Sequence, residues 1–301
     1  MKQKTRKHHH WVNRIQTVLL LISMAGLLSV LGWFLAGPAG IKAAMIVTVL
    51  AFVFTPRLPS RLVMRSMNAR PLNPRVTAEL HTIARQLARK AGLETNPVLY
   101  YLPTAKLNAF AVGDGKDSAI GITHGLLSAL NTREMAGILS HEITHIKNKD
   151  MEVMALSAVF GRITGYLSVA GQILLVLSLP LMLVGQTLPS LLPLLFVVLA
   201  PAASTMLYLA LSRTREFEAD LGSITLLNDP HALALALSKV EQFNTRSWKR
   251  LFIPMPARQD HTPLLQSHPL TRERIRRLLA MAPPPKPGKS SLGSGRRVVL
   301  L

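Results

Sequence analysis

The longest uncharged stretch of the chain runs for 50 residues, from Ile163 to Ser212, without aspartate, glutamate, lysine or arginine. One membrane-spanning helix needs about 20 apolar residues, so a single helix cannot use a stretch of this length. A polar segment that contains a proline, Gln186 to Ser190, interrupts it near the middle. The pattern predicts two transmembrane helices, near 163–184 and 190–211. A buried hairpin of a soluble protein is the less favoured alternative.

A second apolar region lies near the N-terminus. Ile15 to Ile41 is free of charged side chains, and five basic residues stand among the first 14. A secretory signal has a similar basic start, but its apolar core is only about 7–15 residues long. Another apolar segment, Ala39 to Phe54, follows at once. We therefore predict a retained helix and a second helix after it, which gives about four transmembrane helices. Whether 39–54 crosses completely is left open.

The basic residues predict the orientation in the membrane. Short cytoplasmic flanks of membrane helices carry an excess of lysine and arginine. The first 14 residues and residues 57–75 each hold five such side chains, whereas the turns near Gly37–Gly40 and Gln186–Ser190 hold none. Both termini and both large polar regions are therefore predicted on the cytoplasmic side of the inner membrane.

The net charge of +20 is explained by this topology and by attraction to anionic lipid. No nucleic-acid recognition motif accompanies the charge. The lipid bilayer is an expected partner, and nucleic acid is not.

A short motif between residues 141 and 145 carries the chemistry. His141 and His145 lie four residues apart in a helix predicted over 132–150, so both imidazoles share one face and can bind one metal ion. Glu142 stands beside the first histidine, where it can take a proton from a water molecule at the metal. Two histidines with a structural role only are the alternative. The chain has no cysteine, so a thiolate ligand is excluded.

A third ligand is expected where the last apolar stretch ends. Glu216 and Asp220 are four residues apart and share a helix face, whereas Glu218 points elsewhere. We predict that Glu216 binds the metal and that Asp220 accepts a hydrogen bond from the second ring nitrogen of His141. Glu218 as the ligand, or Glu216 paired with a nearby arginine, are the alternatives. Two imidazoles, one carboxylate and a water match catalytic zinc sites, so one Zn²⁺ per chain is predicted.

The order of these parts resembles the HtpX-type membrane zinc metalloproteases, relatives of the CAAX prenyl protease, over most of residues 1–280. The resemblance implies a zinc endopeptidase that cuts misfolded membrane proteins in quality control. It also implies that Asn108, Ala109, Phe110 and Ala111 bind an extended substrate along a strand edge. His268, which precedes a proline, would donate a hydrogen bond to the scissile carbonyl or its oxyanion. A loop asparagine and a turn histidine are the alternatives.

The expected fold is α+β and mainly helical, with a zincin-like metalloprotease domain joined to about four transmembrane helices. Five regions are predicted: a membrane hairpin (1–56), a cytosolic half with the histidine motif (57–160), a second hairpin (161–211), a cytosolic half with the third ligand (212–281) and a disordered tail (282–301).

Three other functions are weighed at this point. A transporter could use the transmembrane helices, but their apolar segments contain no charged residue beyond Lys42 at an edge. An intramembrane protease of the site-2 type would place its metal helix in the bilayer, but this helix carries several charged residues. A catalytically inactive scaffold would usually lack Glu142 or a ligand, and neither is missing.

Overall fold

A computed structural model describes residues 2–54, 59–183, 191–250 and 271–281. The helices within these ranges are α1 (Lys2–Phe54), α2 (Ser60–Ser66), α3 (Ala78–Ala91), α4 (His124–Ala129), α5 (Thr132–Asn148), α6 (Asp150–Leu183), α7 (Leu191–Leu227), α8 (Pro230–Arg250) and α9 (Thr271–Ala280). The strands are β1 (Arg70–Pro71), β2 (Val98–Leu102), β3 (Ala109–Gly113) and β4 (Ser118–Thr123). The prediction of a mainly helical α+β fold is confirmed.

The chain divides into two compact units. The first consists of Met1–Arg57 and Glu152–Arg215, and the second consists of Leu58–Met151 and Glu216–Leu301. Helices α6 and α7 contribute residues to both units. The predicted turn at Gln186–Ser190 and the predicted tail 282–301 lie outside the described residues.

The first unit contains the apolar helices. Among the described residues, three helices are long and apolar enough to cross a membrane: Val12–Val53, Asp150–Leu177 and Pro193–Leu227. About four were predicted. The difference lies in α1, whose backbone leaves the helical conformation at Ala36 and Gly37 and so divides one long helix into two arms. A straight helix of 42 residues would measure about 63 Å, twice the hydrocarbon thickness of about 30 Å.

The two arms of α1 pack against each other. A Cβ atom added at Gly32 would lie 2.5 Å from the carbonyl oxygen of Gly40, so the backbones meet where both side chains are absent. Met24 and Leu28 of the first arm and Ala44 of the second belong to one buried cluster. Small residues at helix contacts of this kind are typical of membrane proteins.

A proline shapes the contact between α6 and α7. Pro201 lies inside α7 and has no N–H, so the carbonyl of Val197 receives no helical hydrogen bond from that position. The buried Ser168 hydroxyl of α6 donates to this carbonyl at 2.5 Å. Gln172 Nε2 donates in turn to Ser168 Oγ at 3.2 Å. A side chain of the neighbouring helix therefore satisfies the backbone group that the proline leaves open.

The second unit is built on a four-stranded sheet of order β1-β2-β4-β3. β2 and β4 are parallel, β3 and β4 are antiparallel, and β3 forms one edge. Ala109 and Ala111 face the main core, which includes buried residues of α3 and α5. Phe110 belongs to a separate cluster with Met64 of α2. Its ring lies across Gly121, where an added Cβ would come within 2.7 Å of it.

Helix α5 begins with both hydrogen bonds of a capping box. Asn131 Oδ1 accepts from the Glu134 amide at 2.9 Å, and the Asn131 amide donates to Glu134 Oε2 at 3.0 Å. Every residue from 134 to 146 is buried. The helix ends at Asn148, two residues before the predicted end, because Lys149 adopts a left-handed conformation with φ 55°. Helix α6 starts immediately afterwards, at Asp150.

Candidate metal centre

Three potential ligands converge in the second unit. Nε2 of His141 and Nε2 of His145, both on α5, are 3.1 Å apart. Glu216 of α7 places Oε2 at 3.4 Å from the first nitrogen and Oε1 at 3.7 Å from the second. Their ligand atoms all lie within 4.8 Å of one another, and all three residues are buried.

The spacing of these atoms suits an ion of the size of zinc. Bonds of about 2.0–2.1 Å in a tetrahedral site place neighbouring ligand atoms about 3.3 Å apart. The two Nε2 atoms are 3.1 Å apart, and each has one oxygen of the Glu216 carboxylate at a comparable distance, 3.4 Å to Oε2 and 3.7 Å to Oε1. Two imidazole nitrogens and one carboxylate oxygen also form the donor set of catalytic zinc sites that leave one position for water.

The other ring nitrogen of each histidine meets a carboxylate. Nδ1 of His141 lies 3.1 Å from Asp220 Oδ1, the pairing expected from the sequence. Nδ1 of His145 lies 2.6 Å from Asp150 Oδ2, a contact that sequence reasoning did not anticipate. A carboxylate on the outer nitrogen keeps the hydrogen there and leaves Nε2 to face a metal.

Arg274 is the second residue that the sequence analysis missed. It comes from α9, and its side chain is 1% exposed. Nη1 donates to Glu216 Oε2 at 2.7 Å, and Nη2 lies 3.2 Å from His141 Nε2. The signal in the sequence is weak: Arg274 and Leu278 share a helix face, and they are the buried residues of α9.

The electrostatic balance of the centre follows from burial and these contacts. Burial lowers the pKa of Arg274, but the carboxylates of Asp220, Glu216 and Glu142 raise it, and the net shift is upward. Burial and Arg274 lower the pKa of His141, whereas hydrogen bonds to Asp220 and Glu216 raise it, again with a net upward shift. The positive charge of the buried Arg274 is therefore offset by the negative charges of several carboxylates.

The close approach of α7 to α5 depends on a glycine. A Cβ atom added at Gly222 would lie 2.2 Å from Cγ2 of Thr144, a residue between the two ligand histidines. Gly222 follows Asp220 by two positions, so the absence of its side chain lets α7 bring Asp220 and Glu216 to the histidines. Glu218 is also buried but is not part of the group of potential ligands.

The other predicted site residues are Asn108, Ala109, Phe110, Ala111 and His268. Asn108 lies just before β3, and its amide N–H donates to Thr123 Oγ1 at 3.0 Å. Its side-chain nitrogen Nδ2 is buried and has no hydrogen-bond partner among the described residues. Ala109, Phe110 and Ala111 form the start of the edge strand β3. His268 lies outside the described residues.

Two histidines on one helix, with a glutamate between them in sequence and a carboxylate from another helix as the third ligand, form the metal site of a metallopeptidase. The apolar helices of the first unit anchor this metallopeptidase in a membrane. Residues 74–282 match the family model described as Peptidase family M48, and the chain belongs to that family.

Several curated proteins are similar to this chain along nearly their whole length. Proteins named "Protease HtpX homolog" from Pyrococcus furiosus and Bifidobacterium longum are each 33% identical; the alignments cover 89% and 91% of this chain and 96% and 94% of theirs. Another, from Desulfatibacillum aliphaticivorans, is 30% identical over 90% of both chains. The resemblance and the enzyme class predicted from the sequence are confirmed.

Proposed function

We propose that the protein is a zinc-dependent endopeptidase with its active site on the cytoplasmic side of the inner membrane, and that it cuts misfolded membrane proteins. The convergence of His141 Nε2, His145 Nε2 and the Glu216 carboxylate carries the proposal. Zinc is favoured over other ions because imidazole nitrogens suit it and because two imidazoles with one carboxylate form the donor set of catalytic zinc sites.

Glu142 is the proposed general base. Zinc, when bound, polarises the scissile carbonyl and lowers the pKa of water. Glu142 is adjacent to a ligand on α5 and is 3% exposed, so its carboxylate is shielded from bulk water. It takes the proton of the attacking water and later passes it to the leaving amine.

The edge of the sheet is the proposed substrate-binding surface. An extended peptide can add to an edge strand through main-chain hydrogen bonds, and β3 is such a strand. A buried donor without a partner is costly, which supports a role for Asn108 Nδ2 in binding a substrate carbonyl. His268 is proposed, from the family resemblance alone, to donate a hydrogen bond to the oxyanion.

Orientation and substrate class rest on charge and on helix continuity. The arginine-rich segment 57–75 supports a cytoplasmic location for the catalytic unit. Glu216 lies in the same helix as an apolar segment long enough to cross a membrane. This helix tethers the catalytic unit to the membrane, which supports membrane proteins as substrates.

The test uses the full chain purified in detergent. Bound zinc is measured by elemental analysis, and hydrolysis is followed on casein and on one membrane protein in its folded and in its denatured form. Glu142→Gln is expected to keep its zinc and to lose about 10²–10⁴-fold in rate, whereas His145→Ala is expected to lose the zinc as well. Full zinc together with an unchanged rate in Glu142→Gln would contradict the role of this residue. Equal rates on folded and denatured membrane proteins would contradict the substrate class.

A further inference from the structure

We propose that Asp150 is a positioning residue that holds the His145 imidazole with Nε2 directed at the metal. The inference rests on the proposed metal centre and adds a residue to it. Asp150 is not one of the three ligands. Its carboxylate contacts Nδ1 of His145, the ring nitrogen that faces away from the ligand group.

The geometry of this contact is that of a buried, charge-assisted hydrogen bond. Asp150 Oδ2 and His145 Nδ1 are 2.6 Å apart, at the short end of hydrogen bonds from a nitrogen to a carboxylate, which are typically about 2.7–2.9 Å long. Asp150 is 2% exposed. Water therefore does not compete for the carboxylate, which fixes both the ring orientation and the tautomer of His145.

The turn between α5 and α6 makes the contact possible. Asp150 follows His145 by five residues, so on a continuous helix the two would not share a face. Lys149 takes a left-handed conformation, which ends α5 and redirects the chain. The next residue, the first of α6, then places its carboxylate against the histidine.

The two ligand histidines are held in the same way from two different helices. Asp220 of α7 contacts Nδ1 of His141 at 3.1 Å, and Asp150 of α6 contacts Nδ1 of His145 at 2.6 Å. Partners of this kind typically change metal affinity by about 10–100-fold. Asp150 should therefore matter for metal binding and not only for the start of α6.

A purely structural role predicts a different outcome. A carboxylate in the first turn of a helix stabilises the helix through its dipole, so loss of Asp150 could weaken α6 without affecting zinc. Serine separates the two roles, because it also suits a helix start but cannot provide the carboxylate. Asp229, at the start of α8, is a matched position: Oδ1 accepts from the Ala232 amide at 3.3 Å, and the carboxylate pairs with Arg133 instead of a histidine.

The experiment compares Asp150→Ser with Asp229→Ser. Zinc affinity is measured by competition with a chromophoric chelator, the ligand field by the visible spectrum of the cobalt-substituted protein, and stability by thermal unfolding of the metal-free protein. Asp150→Ser is expected to bind zinc about 10–100-fold more weakly and to show an altered cobalt spectrum. Asp229→Ser is expected to keep both properties.

The other outcomes also distinguish a positioning role of Asp150 from a purely structural one. Wild-type zinc affinity in Asp150→Ser overturns the positioning role, even if its melting temperature falls. If the serine variant does not fold, Asp150→Leu replaces it; leucine is of similar size but cannot accept a hydrogen bond, and unchanged zinc affinity in this variant also overturns the inference. Failure of the wild-type protein to bind zinc would instead contradict the proposed function.

Discussion

Arg274 and Asp220 form a two-bond ion pair in the protein interior. Nε donates to Oδ2 at 2.9 Å, and Nη2 donates to Oδ1 at 2.8 Å. The same Oδ1 is 3.1 Å from Nδ1 of His141. One carboxylate therefore joins a ligand histidine of α5 to the arginine of α9, which makes the C-terminal helix a structural part of the metal centre.

The first prediction concerns this pair. Arg274→Gln leaves the carboxylates of Asp220 and Glu216 buried without their cation, and removal of one partner from a buried ion pair typically costs about 3–5 kcal/mol. We expect the free energy of unfolding of the metal-free protein to fall by about this amount, measured with denaturant in detergent. Added zinc is expected to recover part of the loss, because it supplies positive charge at the same place.

Arg276→Gln is the matched control on the same helix. Arg276 pairs with Glu273 at 2.6 Å, but its side chain is 77% exposed, and exposed pairs contribute little to stability. Equal losses in the two variants would show that burial of Arg274 does not determine its contribution.

The importance of Arg274 was not predictable from the sequence. α9 contains four arginines among ten residues, and the helix face that Arg274 shares with Leu278 is too weak a signal to distinguish the buried arginine from the exposed ones. Asp150 was missed for a related reason, because its contact depends on the left-handed turn at Lys149 and not on helical periodicity. The spacing of His141 and His145, and of Glu216 and Asp220, lies within regular helices, and there the expected faces agree with the observed geometry.

The second prediction separates Glu216 from Glu218. Glu216→Gln is expected to lose most of its bound zinc, because a neutral amide is a poor replacement for a carboxylate ligand. Glu218→Gln is expected to keep the metal, since Glu218 is buried outside the ligand group. Asp220→Asn is expected to weaken affinity by about 10–100-fold. The measurement is zinc per chain after dialysis; retention by Glu216→Gln with loss from Glu218→Gln would reassign the third ligand.

The third prediction tests the contact between α5 and α7. In Gly222→Ala the new methyl group meets Thr144, so α7 must move away from the histidines. We expect weaker zinc binding and a stability loss of about 1–3 kcal/mol, the usual effect of overpacking. Adding Thr144→Ser to the Gly222→Ala variant removes the threonine methyl group that the new methyl group meets. This double variant should recover part of the lost zinc affinity and part of the lost stability.

Gly161→Ala serves as the control for this variant. There the nearest neighbour of the added atom, Ser204 Oγ, is 3.6 Å away, an ordinary contact distance. We expect neither zinc affinity nor stability to fall. If Gly161→Ala and Gly222→Ala weaken zinc binding equally, close approach at Gly222 is not what positions Glu216.

The helices near the membrane were only partly predictable. Counting uncharged residues found the apolar segments, but the helix expected near 163–184 begins at Asp150, because a few charged side chains do not interrupt a helical backbone. The capping box at Asn131 and Glu134 was predictable, since all of its hydrogen bonds are local. The break at Ala36 and Gly37 appeared in the sequence only as a possible turn.

The fourth prediction concerns orientation. The chain has no cysteine, so single cysteines can be introduced without background. Ala39→Cys lies beside the break in α1, and Lys116→Cys lies in the catalytic unit; both positions are exposed. A membrane-impermeant thiol reagent is expected to label Ala39→Cys in intact cells, and Lys116→Cys only after the membrane is opened. Labelling of Lys116→Cys in intact cells would reverse the proposed orientation.

The hydrogen bond from Ser168 to the Val197 carbonyl has a consequence for how α6 and α7 recognise each other. In a lipid environment no water can bind a carbonyl that a proline leaves open, so the group must be matched by the neighbouring helix. Sliding α7 along α6 by one turn, about 5.4 Å, would separate the Ser168 hydroxyl from the Val197 carbonyl and break this hydrogen bond. The N–H that Pro201 lacks thus fixes the register of α7 against α6. Apolar packing alone distinguishes poorly between alternative registers of two membrane helices.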